Sequence, residues 1–453
     1  MSNNGKEEKQ LSVQEERAEY GKEKPKAKDT ARLIWASKPK KEPNAKDLEF
    51  QTAEEVYPNV ADIKDKKLSR FWTETKDISD DPNRLIWGDN LLVMQALLAQ
   101  DYEGQIDLIY IDPPFNTGEN FNFQIDFTIG NKKFEKELPV QERLAYTDTW
   151  ERGIDSFLDM LLPRLQIMRR LLSDKGSLFV HCDWHVSHYI RIILDEVFGK
   201  ENFRNEIVWR RVYTHSDANR FGHIHDVIFF YSKTNNYIWN EQFIPQSEEY
   251  LESHYRSQDK EGRPYRLISM SAKTGKKDIR VINGKEYLPD GNAWKYSQET
   301  IDEYWKDKKI VFTKEGTPQL IRYLDETEGK RVQTIWTDIF PVNSQALERT
   351  QYATQKPEAL LDRILKASSN AKSLIGDFFC GSGTTAAVAE KLGRRWIISD
   401  LSKTAIQVTR SRLVNQNSNP FVIENLGNYQ RQLIYAKEVN LIANLLNNGT
   451  YWA

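Results

Sequence analysis

Residues 373–386 read Ser-Leu-Ile-Gly-Asp-Phe-Phe-Cys-Gly-Ser-Gly-Thr-Thr-Ala. The stretch begins as a short apolar strand, turns at Gly381 and Gly383, and continues as the start of a helix. Glycine lets the backbone turn sharply and lets a ligand approach where a Cβ would block it. Asp400 ends the next predicted strand, where a carboxylate can accept hydrogen bonds from ribose hydroxyls. The stretch therefore predicts a strand–turn–helix unit that binds a nucleotide-like ligand.

Several ligands have to be weighed for this turn. Gly381-x-Gly383-x-x-Ala386 satisfies the dinucleotide fingerprint, so a dehydrogenase is one alternative, whereas no lysine follows the glycines as a P-loop requires. A turn without any ligand is the other alternative. Asp377 at the strand tip favours a ligand with a positive amino group. The methionine part of S-adenosylmethionine has one and a dinucleotide pyrophosphate has none, so we predict S-adenosylmethionine as the cofactor.

Predicted strands and helices alternate on either side of this unit. Such alternation is typical of parallel βαβ units whose sheet is covered on both faces, which gives an α/β fold. Two aromatic and β-branched runs, 206–210 and 226–231, have no helix between them and predict an antiparallel pair that closes the sheet. The other predicted strands are 84–89, 106–111, 176–180, 373–379 and 395–399, and the predicted helices are 90–99 (capped by Asn90), 156–172, 186–198, 358–367 and 384–392.

Composition divides the chain into five parts. Residues 1–70 are charged and predict a mobile extension. Residues 71–232 and 351–430 carry the α/β pattern, and a polar, aromatic insert at 233–350 interrupts it. Lysine and arginine outnumber the acids between residues 256 and 295 of that insert. Residues 431–453 are expected to form a helical tail.

Charge and cysteine content limit the function classes. The formal net charge is −2 over 453 residues, so a DNA-binding protein of this kind must concentrate positive charge on one face. The two cysteines, Cys182 and Cys380, are far apart, which fits a reducing cytoplasm better than a disulfide framework. The sequence has no apolar run long enough for a membrane span and no secretory signal at its charged N-terminus.

Asp112-Pro-Pro-Phe115 follows the predicted strand 106–111 and is the most specific pattern in the chain. Pro113 and Pro114 remove two backbone donors and fix the turn. A primary amine on a base ring has two N–H donors, and the Asp112 carboxylate and Pro113 carbonyl can accept one each. This geometry stabilises the positive charge that develops on the nitrogen as it attacks a sulfonium methyl. Phe115 offers an aromatic face for the base.

The same residues carry a resemblance to a known family. Asp112-Pro-Pro-Phe115, followed by Asn116-Thr-Gly118 and much later by Phe379-x-Gly-Ser-Gly-Thr384, resembles the amino-methyltransferases of bacterial restriction-modification systems. The order, with the catalytic tetrapeptide before the cofactor loop, is that of the β class. The opening Trp87-Gly-Asp-Asn90 is most similar to type III modification subunits, and the resemblance covers about residues 70–430.

The resemblance implies a Rossmann-like methyltransferase sheet with permuted motif order, and a target-recognition function for the insert. It implies a site-specific, adenine-directed DNA methyltransferase with duplex DNA as substrate. A restriction subunit is a candidate partner and a homodimer is expected, although the chain ends at Ala453, earlier than usual for type III subunits. The cofactor residues that it implies are Asp377, Phe379, Gly381, Ser382, Gly383, Thr384, Asp400, Gln355, Lys356, Pro357 and Asp89.

Other reactive side chains carry weaker expectations. His181, Cys182, His185 and His188 cluster after a strand, but alternation places His181 and Cys182 on opposite faces, and methyl transfer needs no metal. We therefore predict no metal site, and expect His181 or Asp183 to line the base pocket instead. The remaining candidates are Cys380, expected to be a small filler beside the glycines, and Arg210, Arg211 and Arg220, which can contact phosphates or solvent.

Three rival functions remain open at this point. Transfer to the 4-amino group of cytosine uses the same two-acceptor geometry. A non-catalytic DNA-binding subunit is the rival from another class, against which the intact Asp112 tetrapeptide and glycine turn argue. Methylation of RNA or of a protein glutamine fits less well, because the long basic and aromatic insert suits a duplex better.

Overall fold

The computed structural model describes residues 32–58, 81–114, 153–213, 219–275, 277–343, 345–350, 352 and 354–427, and the backbone of 124–129 and 132–137. The predicted helical tail at 431–453 lies outside these ranges. The strands are β1 (Gln51–Val56), β2 (Asn83–Trp87), β3 (Ile106–Ile111), β4 (Gln124–Ile129), β5 (Lys132–Glu137), β6 (Leu172–Cys182), β7 (Phe203–Arg210), β8 (His225–Ser232), β9 (Phe243–Ile244), β10 (Ser257–Gln258), β11 (Pro264–Ser269), β12 (Ser271–Ala272), β13 (Arg280–Ile282), β14 (Lys285–Tyr287), β15 (Ala293–Trp294), β16 (Ile310–Phe312), β17 (Pro318–Tyr323), β18 (Lys330–Arg331), β19 (Ile335–Trp336), β20 (Leu374–Asp377), β21 (Arg395–Asp400) and β22 (Phe421–Asn425). The helices are α1 (Asn90–Ala99), α2 (Ile154–Leu171), α3 (Ser187–Phe198), α4 (Glu248–His254), α5 (Gln298–Lys306), α6 (Glu358–Ser368), α7 (Thr384–Lys391) and α8 (Lys403–Asn415).

A ten-stranded sheet in the order β1-β22-β2-β21-β20-β3-β6-β8-β7-β19 forms the centre of the protein. The six strands from β22 to β6 run parallel to one another. Strands β8 and β7 then continue the sheet antiparallel, as predicted from the sequence. The prediction of a mostly parallel α/β sheet is therefore confirmed, with three additions: β1 and β22 lie at one edge, and the short β19 pairs with β7 at the other.

Helices cover both faces of this sheet. On one face α1, α2 and α3 pack with apolar side chains such as Met94, Phe157 and Ile190. On the other face α6, α7 and α8 pack with side chains such as Ile364 and Leu413. Burial on both faces explains why β3 is nearly all apolar in sequence instead of alternating apolar and polar residues.

Residues 32–58 correct one prediction, because this part of the expected mobile extension is folded onto the sheet. Strand β1 pairs antiparallel with β22 at the sheet edge, and Glu54 forms an ion pair with Arg410 of α8. The Trp35 indole donates to Asp159 at 2.7 Å, and Leu48 is buried. An edge strand pairs on one side only, so a charged sequence can form it when the main chain supplies most contacts.

The start of α1 corrects a second prediction. Asp89, not Asn90, caps the helix: its carboxylate accepts from the backbone N–H groups of Leu91 at 2.9 Å and Leu92 at 3.4 Å. The Asn90 side chain instead donates to the carbonyl of Phe378 at 2.7 Å. Asn90 therefore connects α1 to the cofactor loop.

The middle of the region 233–350 folds around a separate small core, whereas β19 near its end joins the central sheet. A four-stranded antiparallel sheet, in the order β10-β11-β17-β16, packs with α5. Met270, Ile301 and Leu320 are buried between them. Across the described residues, no helix is both long and apolar enough to cross a membrane.

Candidate active site

Pairing of β3 with β20 brings the two main sequence motifs together. The strands run parallel, with Leu108 opposite Ile375 and Ile109 opposite Gly376. Parallel neighbours end at the same edge of a sheet, about 4.8 Å apart. Asp112 directly follows β3 and the glycine turn directly follows β20. The two loops therefore leave the sheet side by side, although they are more than 260 residues apart in sequence.

Asp112 presents its two carboxylate oxygens to different surroundings. Lys356 donates through Nζ to Oδ2, and the two side chains form an ion pair with little exposure. Oδ1 is buried and accepts no hydrogen bond from any residue that the structure describes. A buried carboxylate oxygen without a donor costs free energy, so among the described residues this atom is an acceptor available to a ligand. Pro113 next to it is buried, whereas Phe115 lies outside the described residues.

The three residues of the predicted cofactor segment 355–357 have different contacts. Lys356 reaches Asp112, and its carbonyl accepts from the hydroxyl of Thr384 at 3.2 Å. Gln355 instead holds its own loop: its Oε1 accepts from the backbone and hydroxyl of Thr350, each at 2.8 Å. Pro357 precedes the first turn of α6. Lys356 therefore contacts both sequence motifs, while Gln355 contacts neither of them.

The glycine turn has the conformation that its sequence requires. Gly381 has a φ of +50° and Gly383 a φ of +72°, in the left-handed region that glycine favours. A Cβ on Gly383 would lie 2.5 Å from Cγ2 of Thr409, so α8 leaves no room for a side chain there. Asp400 accepts from the backbone N–H of Gly381 at 2.9 Å through Oδ2 and from that of Ser402 at 2.8 Å through Oδ1.

Asp377 is the most strongly perturbed acid of the site. Burial raises the pKa of Asp377 to about 7, and the carboxylates of Asp112 and Asp400 push it in the same direction. Hydrogen bonds from the Thr385 hydroxyl at 2.5 Å and the Phe379 backbone N–H at 3.0 Å oppose this rise. Three carboxylates and one lysine thus meet at this edge, so the site is suited to a ligand that carries positive charge.

The remaining predicted cofactor residues surround the turn. Ser382 and Thr384 are buried, and their hydroxyls lie 3.2 Å apart. Phe379 packs against the core beneath α1. Asp89 caps α1 and also pairs with the guanidinium of Arg164 at 3.2 Å. The structure therefore brings these residues to the same sheet edge, with the Asp89 carboxylate already engaged by protein donors.

The histidine and cysteine candidates are buried or paired. The His181 ring contacts the Tyr110 hydroxyl at 2.8 Å and the Asp226 carboxylate at 3.1 Å, below the Asp112 loop. His185 pairs with Asp183 at 2.6 Å. Within the described ranges, no group of three or more His, Cys, Asp or Glu could hold a metal ion. Burial raises the pKa of both thiols, Cys182 and Cys380, far above the ordinary value, so neither is a thiolate at neutral pH.

Sequence reasoning missed two contributors to the site. Arg412 of α8 is buried and donates to the Thr384 hydroxyl at 2.9 Å and to Glu358 of α6 at 2.8 Å, so it connects α8, α7 and α6. Tyr352 lies against the turn, 3.2 Å from where a Cβ of Gly381 would be. Neither residue is part of a local pattern, and only the packing of distant elements reveals them.

A groove of about 1410 Å³ lies between α8, β22 and the loop 346–350 and is lined in part by Arg412 and Glu358. None of the site residues predicted from the sequence lines it. The edge formed by β3 and β20 is the candidate active site, because buried acids, a lysine and positive-φ glycines meet there. A large concave surface alone specifies no chemistry.

Comparison with known proteins agrees with this geometry. Residues 106–411 match the N6/N4 methyltransferase family, described as DNA methylase. The type II methyltransferase M.EcaI of Enterobacter cloacae is 30% identical over 366 residues, which are 79% of this chain and 76% of that protein.

Two further relatives cover different shares of their own length. The Mod subunit of the type III enzyme StyLTI of Salmonella typhimurium is 27% identical over 67% of this chain, and the match spans 49% of that subunit. The DNA adenine methyltransferase YhdJ of Escherichia coli K12 is 24% identical over 76% of this chain and 85% of YhdJ. The chain thus matches about half the length of the type III subunit. From the family match and from the similarity to M.EcaI, this chain belongs to the DNA methylase family.

Proposed function

We propose that this protein transfers a methyl group from S-adenosylmethionine to the N6 amine of an adenine flipped out of duplex DNA. The observation that carries the proposal is the buried Oδ1 of Asp112, an acceptor that no described residue satisfies, beside the glycine turn. Membership of the DNA methylase family supplies the class of substrate.

The residues at the edge fit the cofactor. When bound, S-adenosylmethionine supplies an electrophilic methyl group on a positively charged sulfur. Asp377 lies at the strand tip, where its carboxylate can compensate a positive amino group. Gly381 and Gly383 have no side chain, so the cofactor can approach their backbone closely. The Asp400 carboxylate lies at the end of β21, the position from which ribose hydroxyls are bound in folds of this kind.

The chain's own residues bind and orient the amine. Oδ1 of Asp112 accepts one N–H of the amine and the carbonyl of Pro113 accepts the other. Lys356 holds Oδ2, which fixes the carboxylate and keeps a positive charge beside it. Two acceptors on one nitrogen hold its lone pair in a fixed direction and stabilise the positive charge that develops there. The proton leaves after transfer, so no general base with a shifted pKa is needed before it.

Extrusion of the base from the duplex is required because the amine cannot reach Asp112 inside the stack. Extrusion costs a few kcal/mol. We assign target recognition to the region 233–350, because its middle part folds around a core separate from the central sheet. Phe115, outside the described residues, is assigned to stacking on the extruded base.

The relatives support the finer assignments of substrate and partners. YhdJ is named as an adenine methyltransferase, which favours adenine over the 4-amino group of cytosine. StyLTI Mod is a modification subunit of a restriction-modification system, so a restriction subunit is the partner to test, together with self-association into a homodimer. We assign the protein to the cytoplasm, where its DNA substrate lies.

The test is incubation of plasmid DNA with purified protein and methyl-labelled S-adenosylmethionine, followed by digestion to nucleosides. Label in 6-methyladenine is the expected result. Label in 4-methylcytosine would leave the enzyme class intact and change the base. Binding of DNA without any label at saturating cofactor would favour a non-catalytic subunit and contradict the proposal.

A further inference from the structure

The loop between β7 and β8 lies at the same sheet edge as Asp112. Ile111 pairs with Val180 of β6, Cys182 of β6 pairs with Val227 of β8, and Arg210 of β7 pairs with His225. Neighbouring strands are about 4.8 Å apart, so this hairpin begins two strands, roughly 10 Å, across the sheet from Asp112. A duplex that delivers a base to Asp112 therefore has to pass this hairpin.

Contacts with Trp184, just after β6, hold the descending arm of the hairpin. The ring of His223 stacks on Trp184 with centroids 4.0 Å apart and planes 9° apart. His185 also stacks on Trp184, at 3.7 Å, and is itself held by Asp183. The guanidinium of Arg220 lies 5.8 Å from the Trp184 ring. Residues 220 and 223 are thus attached to the turn that follows β6.

Phe221 lies between these two attached residues and is 98% exposed. The other arm of the hairpin carries an aromatic pair: Tyr213 stacks on Phe340 with centroids 5.6 Å apart. Both of these rings are more than half exposed, and the guanidinium of Arg210 lies 4.6 Å from Tyr213. Three large aromatic side chains are thus exposed at one hairpin, and a group of exposed apolar side chains indicates a contact surface where a single one would not.

The charge of the hairpin indicates which class of molecule binds this surface. Residues 211–224 include Arg211, Arg220 and His223 against one acid, Asp217, and Arg211 pairs with Asp226 at 3.2 Å. Arginines beside exposed aromatic rings are the combination that binds phosphates and base faces. Apolar side chains of this kind enter base stacks that are opened or kinked. The partner is therefore the duplex that delivers the substrate base.

We propose that the β7–β8 hairpin is the part of the protein that opens the base stack, with Phe221 entering the space left by the extruded base. This inference rests on the proposed function. Arg210 and Arg220 bind the flanking phosphates, and the contacts with Trp184 keep the hairpin rigid while Phe221 enters. A filled space slows the return of the base to the helix, which raises the population of the extruded state.

The experiment compares methyl transfer by the full-length protein and by Phe221→Ala on two duplexes. The target sequence is first mapped on plasmid DNA that the wild type has methylated. One duplex carries the target base correctly paired, and the other carries it opposite a mismatch, which reduces the cost of extrusion. We expect Phe221→Ala to lose about ten-fold in kcat/KM on the paired duplex and less than about two-fold on the mismatched duplex. Phe221→Trp should retain activity on both.

Ile34→Ala is the matched control, because Ile34 is 86% exposed and belongs to the segment that packs near α2 and α3. It should be active on both duplexes. An equal loss for Phe221→Ala on both duplexes, or no loss on the paired one, would overturn the hairpin's role and leave the proposed function standing. A wild type that methylates no DNA at all would remove the proposed function and this inference with it.

Discussion

At the scale of single residues, Asp112 joins the pieces of the site. Its Oδ2 is bound by Lys356 and its Oδ1 has no donor in the described protein. An aspartate that served only to cap the turn would accept from nearby backbone N–H groups, whereas Oδ2 of Asp112 accepts from a lysine side chain 244 positions away. The arrangement agrees instead with a carboxylate that is oriented by one neighbour and kept ready for a ligand.

Asp112→Ala should therefore remove methyl transfer, by at least about 10²-fold in kcat, because the developing charge on nitrogen loses an acceptor. Affinity for S-adenosylmethionine should stay within a few-fold, since Asp377, the glycine turn and Asp400 belong to β20, β21 and the loop between β20 and α7, and not to β3. Labelled methyl transfer and calorimetry measure the two quantities. Asp174→Ala, at a position 90% exposed, is the control. Turnover by Asp112→Ala near the wild-type rate would refute the assigned role of this carboxylate.

Asp377 predicts a pH dependence of cofactor binding. Its pKa of about 7 without ligand means that the carboxyl is largely neutral below pH 7 and ionised above it. A cationic ligand binds the ionised form, so affinity for S-adenosylmethionine should weaken as pH falls from about 8 to about 6, by up to ten-fold if only that form binds. Calorimetry across this range should show proton release on binding near pH 6.

Asp377→Asn is the control for this titration, because asparagine keeps the shape of the side chain and cannot ionise. The variant should bind the cofactor weakly and with a flatter pH profile. If the pH dependence of binding were the same in the variant and the wild type, another group would be its source.

Single residues also show what sequence patterns cannot provide. The motif around Lys356 pointed to the cofactor, and the chemistry of Asp112 pointed to an amine. Their contact joins residues 244 positions apart and depends on how α6 is placed against the sheet. The cap of α1 was assigned one residue too late because Asp89 and Asn90 are both good cap residues, and only backbone geometry separates them.

At the scale of elements, the glycine turn between β20 and α7 depends on backbone conformation and on space. Gly383 and Gly393 have similar positive φ values, +72° and +66°. A Cβ on Gly383 would meet Thr409, whereas a Cβ on Gly393 would meet nothing within 4 Å. Alanine substitutions at the two glycines therefore distinguish the free-energy cost of a left-handed backbone from the cost of steric crowding.

Gly393→Ala should lower the free energy of unfolding by about 1 kcal/mol, the cost of a left-handed alanine. Gly383→Ala should lower it by roughly 3 kcal/mol, since crowding against α8 adds to the same strain. Chemical denaturation of both variants measures the difference. Equal losses would show that Thr409 moves aside without cost.

Strands were predicted correctly in the interior of the central sheet and missed at its edge. Strand β3 matches its predicted bounds because an all-apolar run between turn residues has few other interpretations. Strand β1 has the sequence Gln-Thr-Ala-Glu-Glu-Val, which has no apolar face, and it forms because β22 provides hydrogen bonds. The order of strands in the sheet is likewise set by long-range pairing and not by local propensity.

At the scale of the whole molecule, the net charge of −2 gives no general attraction to DNA. Binding must come from local groups of arginine and lysine such as those of the β7–β8 hairpin. Each phosphate contact contributes about −0.9 to the slope of log affinity against log salt.

The affinity for duplex DNA should therefore fall at least roughly ten-fold between about 50 and about 200 mM salt, which requires only two phosphate contacts. Fluorescence anisotropy with a labelled duplex measures this slope. Arg220→Ala should reduce the slope by about one contact. Binding that does not respond to salt would contradict contacts with phosphates.

The reaction centre is assembled by non-covalent contacts: the pairing of β3 with β20 and the ion pair of Lys356 with Asp112. Strands from before and after the turn at Asn283-Gly284 also alternate elsewhere in the sheet, where β2 lies between β21 and β22. Neither half can bury its strands without the other. Two separately produced fragments, divided at that turn, should consequently assemble into one working enzyme, in the manner of a split reporter whose signal requires both pieces.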